Sequence, residues 1–273
     1  LKRKKLTFIG CGNMGEAILK GLLDSSFLDA EQVGFFEIAA SRRDYISRNY
    51  NIASLEDIHN SVEGSEYLIM AVKPQNISSL MVDIKKYFKE GQNRIISIIA
   101  GISTGYYEKS LKKEASVIRV MPNTPALYKK GMITVSPGKF AGKDDMAFVL
   151  ELMGTIGNCA VIDEDLQHIS TAVNGSGPAY FFLLCKALME AAQANGLDRD
   201  IARRLAAATM KGAGEMLERS DLSVEELISR VASPGGTTEK ALLAFKEYKF
   251  EKIVGEAVGN ALNRSRELEK EMA

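Results

Sequence analysis

Short apolar runs recur between Lys5 and Val161: LTFIG (6–10), VGFFE (33–37), YLIMAV (67–72), RIISIIA (94–100), SVIRVM (116–121), MITVS (132–136) and CAVI (159–162). They are rich in Val, Ile, Leu and Phe and apolar at consecutive positions, the pattern of strands buried on both faces of a largely parallel sheet. Segments with helical character separate most of them, and this alternation predicts an α/β fold. After Asp163 the strand pattern stops. PAYFFLLCKALMEAAQANG (178–196) is apolar almost all round and ends on Gly196, a helix terminator. DIARRLAAATMKGAGEMLERS (200–220) consists largely of good helix formers. SVEELISRVAS opens with Ser223 and Glu226 at capping-box spacing. A last long amphipathic helix is predicted from Phe250 onwards. The pattern therefore predicts an α/β domain over 1–163 and an all-helical domain over 164–273. Helices with so many apolar faces are hard to close alone, so the second domain reads as a dimerisation bundle, with a compact monomeric bundle as the alternative.

Composition narrows the class. The chain has 273 residues, 46% hydrophobic and 26% charged, enough for a sizeable core under an ordinary polar surface. Lys+Arg and Asp+Glu are both 35, and this balance argues against nucleic acid as a partner. Three cysteines, Cys11, Cys159 and Cys185, are odd in number and widely spaced, which indicates neither a disulfide framework nor a metal site and points to a reducing cytoplasm. No apolar run is long enough to suggest a membrane span. The basic start LKRKK leads straight into a strand pattern and lacks the features of a signal peptide.

The first strand ends in FIGCGNMG, which places Gly10, Gly12 and Gly15 in a G-x-G-x-x-G between a strand and the helix that Asn13 and Met14 open. Gly10 permits the tight turn, Gly12 lets the backbone approach a pyrophosphate, and Gly15 lets helix and strand pack closely. Free N–H groups at the helix start favour phosphate. In that context the motif predicts dinucleotide binding. The second strand pattern ends at Glu37, where an acid would accept from the ribose hydroxyls of NAD and repel the 2′-phosphate of NADP. Ser41, Arg42 and Arg43 follow closely and could instead clamp that phosphate, so NADPH and NADH both stay open. Ala71, Val72, Lys73 and Pro74, and likewise Ala100, close the next two strands at the sheet edge where open α/β sheets bind ligands. Asn123 sits between Pro122 and Pro125 in a stiff polar loop.

FIGCGNMG, AVKPQ, IIAGI, RVMPNTPAL, GSGPAYFF and ASPGGTTEKAL occur here in the order and spacing of pyrroline-5-carboxylate reductases, and the chain resembles that family from about Leu6 to Arg266. The resemblance implies an N-terminal Rossmann-type domain, a C-terminal helical dimerisation and substrate-binding domain, and NADPH- or NADH-dependent reduction of the cyclic imine 1-pyrroline-5-carboxylate to L-proline. It also implies a homodimer formed through the helical domain, with five dimers in a decamer in many members. Carried onto this sequence, Ser233 and the backbone N–H groups of Gly235, Gly236 and Thr237 would hold the substrate carboxylate, and the Thr238 hydroxyl would bond the ring nitrogen. Asp221 would stand near that nitrogen, where a helix-end turn residue is the equal alternative. A protonated imine accepts hydride without a metal or a general base, so His59 and His168 need no catalytic role. Asn174 and Arg230 depart from the residues common in the family.

Two other readings compete. One is a different imine reductase or a hydroxyacid dehydrogenase of similar two-domain build, and such dehydrogenases usually use a catalytic lysine on the first long helix of the helical domain. Lys186 on that helix and Lys211 on the next are the available lysines, and neither lies in a recognisable motif. A non-catalytic dinucleotide-binding subunit would not need the SPGGTT loop.

Overall fold

A computed structural model describes residues 3–272, the side chain of Met272 excepted. In the α/β part, strands β1 (Lys4–Ile9), β2 (Val33–Phe36), β3 (Ser65–Met70), β4 (Arg94–Ser97), β5 (Ser116–Met121), β6 (Gly131–Pro137) and β7 (Gly157–Val161) alternate with helices α1 (Asn13–Asp24), α2 (Ala40–Tyr50), α3 (Ile58–Glu63), α4 (Ile77–Tyr87), α5 (Thr104–Leu111) and α6 (Lys143–Gly154). All seven apolar runs are strands. They form one sheet in the order β2-β1-β3-β4-β5-β6-β7. Every pairing is parallel except β5 with β6.

Neighbouring strand residues serve opposite faces, which is why the runs are apolar throughout. Phe8, Phe35, Ile69, Ile96 and Ile118 pack with Ile18, Leu19 and Leu22 of α1 and with Val149 and Leu152 of α6. Their neighbours Ile9, Leu68, Met70, Ile95 and Val117 pack with Ile77, Met81 and Ile84 of α4 and with Tyr107 and Leu111 of α5. A buried polar hub closes one face. The Asp145 carboxylate accepts from Tyr67 Oη at 2.8 Å, Arg94 Nε at 2.6 Å and Ser116 Oγ at 2.6 Å. Burial pushes the Asp145 carboxyl up, but these three bonds outweigh it and hold it below its ordinary value.

The rest is helical: α7 (Gln167–Ser170), a π-type turn (Thr171–Gly175), α8 (Gly177–Ala194), α9 (Arg199–Arg219), α10 (Val224–Val231), α11 (Thr237–Glu247) and α12 (Phe250–Met272). The capping box forms as its spacing predicts: Ser223 Oγ accepts from Glu226 N at 3.2 Å, and Ser223 N donates to Glu226 Oε2 at 2.8 Å.

Two compact units result. The first runs to Ser176 and resumes at Ala261, and the second is Gly177–Asn260. This division differs from the boundary at 163/164 expected from the end of the strand pattern, for reasons visible in side chains. Gln167 and Ser170 bond to Thr134 and Ser136 of β6, tying α7 to the sheet. Near the far end of the chain, Ser265 Oγ lies 2.9 Å from His168 Nδ1, and Glu269 Oε2 lies 2.9 Å from His168 Nε2. Glu269 also reaches the buried Arg119 at 3.7 Å, beside Glu164 at 3.4 Å. His168 is thus a buried structural residue, while His59 pairs with Glu63 on α3.

Within the second unit α8 packs on α9. Among the described residues of α8 to α11, only Gly177, Ala202 and Ala206 are buried. Phe181, Phe182 and Leu183 are 58%, 67% and 66% exposed, which leaves a large apolar face uncovered on the single chain. No helix among the described residues is long and apolar enough to cross a membrane.

Candidate active site

One candidate element lies at the carboxyl edge of the sheet, where β1 and β3 diverge to neighbours on opposite sides. Gly10 turns the chain out of β1 with φ +83°, and a Cβ there would lie 2.9 Å from Ala71 O. Only glycine satisfies both the left-handed conformation and the contact. Gly12 has open space where its Cβ would be, and it starts α1 in extended conformation without a side-chain cap. The first-turn N–H groups, from Asn13 on, are therefore free for an anion. Gly12 and Asn13 are exposed and Met14 half-buried. Gly15 lies buried against Gly10 O and the Ala71 side chain, the close packing expected of the third glycine.

Glu37 stands just past β2 with its carboxylate fixed by two backbone donors. Cys11 N donates to Oε2 and Ala39 N to Oε1, each at 3.0 Å. The acid is thus bound to the glycine loop itself. The two arginines behave differently from free phosphate clamps. Arg42 Nε donates to Cys11 O at 2.7 Å, and its Nη2 donates to Glu16 Oε2 at 2.6 Å. Arg43 Nη1 donates to Glu37 O at 3.2 Å. Glu16 also accepts from Tyr50 Oη at 2.7 Å and Tyr45 Oη at 3.1 Å. Burial pushes the Cys11 thiol up to about 12, so it stays neutral.

Ala71 and Val72 continue β3 into the same edge, with Ala71 N donating to Ile9 O at 2.9 Å. Lys73 is exposed, and Pro74 begins a short 3-10 turn that aims the chain into α4. Ala100 lies beyond β4, half-buried. Asn123 is buried and its amide is fully engaged: Oδ1 accepts from Met132 N at 3.0 Å and Nδ2 donates to Asn174 Oδ1 at 2.8 Å. Asn174 Nδ2 in turn donates to Met132 O at 2.7 Å. Asn123 and Asn174 therefore lock the loop after β5 to the π-type turn. Such turns mark functional positions in many helices.

The loop before α11, in the second unit, is a separate candidate element. Gly235 adopts φ +73°, and Gly236 N donates to Ser233 O at 2.9 Å. A Cβ on Gly236 would fall 2.6 Å from Ser233 Oγ and 2.9 Å from Ser233 O, so the tight loop demands glycine there. Gly236 is the N-cap of α11 and carries no side-chain cap, so the first-turn N–H groups, from Thr237 on, receive no cap from it. Gly235 N donates to Glu239 Oε2 at 2.9 Å. Two of the three N–H groups expected to bind a carboxylate, those of Gly235 and Gly236, are thus already satisfied within the loop. Glu239 is a participant that sequence reasoning missed, although its spacing of four residues from Gly235 was open to inspection. Ser233 and Asp221 are exposed, and Thr238 is half-buried.

Comparison with known proteins gives a consistent result. Residues 164–268 match the family model described as pyrroline-5-carboxylate reductase dimerisation, and residues 5–101 match that described as NADP oxidoreductase coenzyme F420-dependent. The pyrroline-5-carboxylate reductase of Pasteurella multocida is 35% identical over 99% of this chain and 99% of its own. That of Synechocystis is 34% identical over 97% of this chain and 98% of its own. The solved structure of a pyrroline-5-carboxylate reductase from Coxiella burnetii superposes with a TM-score of 0.90 at 30% identity, covering 98% of this chain and 99% of that one. The Plasmodium falciparum pyrroline carboxylate reductase, solved with NADP bound, gives 0.88 at 29% identity over 98% and 99%.

Proposed function

The chain belongs to the pyrroline-5-carboxylate reductase family, and from that premise we propose a division of labour between its two units. The activity is the NAD(P)H-dependent reduction of 1-pyrroline-5-carboxylate to L-proline, an oxidoreduction at a carbon–nitrogen bond that completes proline synthesis. The full-length relationship carries this assignment.

The first unit is the dinucleotide holder. The free first turn of α1 takes the pyrophosphate, and the Glu37 carboxylate, fixed by Cys11 N and Ala39 N, faces the ribose. Ala71, Val72, Lys73, Pro74 and Ala100 line the route toward the reacting end. Asn123 acts by holding its loop in place through Asn174 and Met132. The nicotinamide, when bound, supplies the hydride.

In the second unit, Ser233 and the N-terminal N–H groups of α11, Thr237 first, bind the substrate carboxylate. An entering carboxylate displaces Glu239 from Gly235 N, exchanging one anion for another at the same donor. The Thr238 hydroxyl bonds the ring nitrogen, and Asp221 favours its protonated form. The substrate carbon accepts hydride and the nitrogen retains its proton, so no side chain must supply a second acid. What the residues contribute is orientation and exclusion of water.

The chain assembles with copies of itself. We place the interface on the exposed face of α8 around Phe181, Phe182 and Leu183, with five dimers in a decamer as the higher assembly. The cytoplasm is the proposed compartment, supported by the free thiols of Cys11, Cys159 and Cys185.

The test is direct. Purified protein is mixed with 1-pyrroline-5-carboxylate, and oxidation of NADPH and NADH is followed in parallel. Turnover with either, yielding proline, is expected. Tight dinucleotide binding without turnover would assign the chain a binding role only.

A further inference from the structure

We infer that Glu16 is a specificity-determining residue, which biases the dinucleotide site toward NADH by holding Arg42 against the glycine loop. The inference rests on the dinucleotide role proposed above. Arg42 is a cation placed in sequence to receive a 2′-phosphate, since it lies in the first turn of α2 shortly after the acid that follows β2. Its guanidinium is already engaged on two sides. Nε is on Cys11 O and Nη2 is on Glu16 Oε2, while the guanidinium carbon lies 5.1 Å from the Tyr45 ring centroid. The Arg42 and Glu16 side chains are only 24% and 18% exposed, so solvent competes weakly for the pair.

Glu16 is itself anchored, because the Tyr50 and Tyr45 hydroxyls donate to its other oxygen. Burial pushes its carboxyl up, but the bonds from Tyr50, Arg42 and Tyr45 outweigh that and keep it ionised. A carboxylate held by two phenols cannot follow a moving arginine, so Arg42 would have to break both of its bonds to reach a phosphate. What remains at the ribose end is the Glu37 carboxylate, with Arg43 bonded through Nη1 to the Glu37 carbonyl. A 2′-hydroxyl donates well to that carboxylate, whereas a 2′-phosphate meets a like charge without a released guanidinium to offset it. The device is separate from Glu37: one acid repels the phosphate, and the other withholds the cation that would receive it.

The experiment measures dissociation constants of NADH and NADPH by fluorescence titration in the absence of imine, for the wild type, Glu16→Gln and Glu16→Gln/Arg42→Ala. Glu16→Gln should shift the affinity ratio toward NADPH by roughly 10-fold or more, the worth of one charge-assisted hydrogen bond to phosphate. Adding Arg42→Ala should abolish that gain. An unchanged ratio in Glu16→Gln, or a gain that survives loss of Arg42, overturns the inference. Should Glu16→Gln fail to fold, competition on Glu37→Gln, with Glu16 intact and the repelling acid removed, still decides. In that variant ADP-ribose should still displace NADH at lower concentration than its 2′-phosphorylated form, because Arg42 stays held, and the reverse order overturns the inference. Because binding is read without imine, lack of turnover would sink the reductase assignment while leaving this result standing.

Discussion

Replacing Gly236 by alanine tests the loop proposed to bind substrate, with a predictable magnitude. Gly236 has φ −80°, an ordinary value for alanine, so backbone strain is not the issue. The added methyl would lie 2.6 Å from Ser233 Oγ and 2.9 Å from Ser233 O. The hydroxyl can rotate away, but it then leaves the position proposed for substrate. The carbonyl can retreat only by stretching its 2.9 Å bond from Gly236 N. Overpacking costs about 1–3 kcal/mol. An exposed loop relaxes toward the low end, so about 1–2 kcal/mol should appear at the substrate, a roughly 5- to 30-fold loss in kcat/KM. The assay varies 1-pyrroline-5-carboxylate at saturating dinucleotide, with fluorescence titration of the dinucleotide alongside. Dinucleotide affinity should be unchanged, since the glycine loop proposed to bind it belongs to the other compact unit. Gly235 supplies a contrast within the same loop. It has φ +73° and open space around its would-be Cβ, so its alanine variant suffers from conformation alone, at about 1–2 kcal/mol. Asparagine, which tolerates that conformation, should recover part of the loss at 235 and none at 236. Wild-type kinetics in Gly236→Ala, or equal rescue at both positions, would refute the reasoning.

Other outcomes follow from the same geometry. Thr238→Ala should lower kcat/KM by roughly 5- to 150-fold through loss of one buried hydrogen bond to the ring, and unchanged steady-state kinetics would remove the assigned role. Asp145→Asn should cost about 2–3 kcal/mol at pH 7 in urea unfolding, from weakened bonds to Arg94, Tyr67 and Ser116. Because the folded carboxyl is held below its ordinary 3.8, that contribution is complete above this value and fades as pH falls below it. The gap between variant and wild type should therefore narrow only in that acid range, and a gap that closes between pH 7 and 5 would contradict the assignment. Glu269→Ala should destabilise the first unit by about 1–3 kcal/mol, since the buried Arg119 keeps only Glu164. Phe182→Glu should dissociate the assembly in sedimentation experiments, and an unaltered oligomer would move the interface off α8.

The sheet was legible in the sequence because a strand buried on both faces is apolar at every position, and Phe8 and Ile9 show the two faces directly. The glycine turn was legible because Gly10 answers to a local constraint, a left-handed φ against Ala71 O. Contacts between distant positions carry no such periodic mark. Arg42 meets Glu16 across 26 residues, and His168 meets Ser265 across 97. Hence the engagement of Arg42, and the return of the α12 end to the first unit, were not visible beforehand. Residues 164–176 cluster with the first unit for the same reason, since Gln167 binds the sheet through side chains and not through a strand pattern.

With the proposed interface on the uncovered face of the second unit, stability becomes a matter of mass action. Ordering a residue's backbone costs about 1–2 kcal/mol, and α8 to α11 bury little of their own to offset it. Folding of these helices and association with a second copy then form one linked equilibrium. The melting temperature should climb with total protein concentration and fall on dilution. How much of this protein a cell makes would then help decide how much of it is folded.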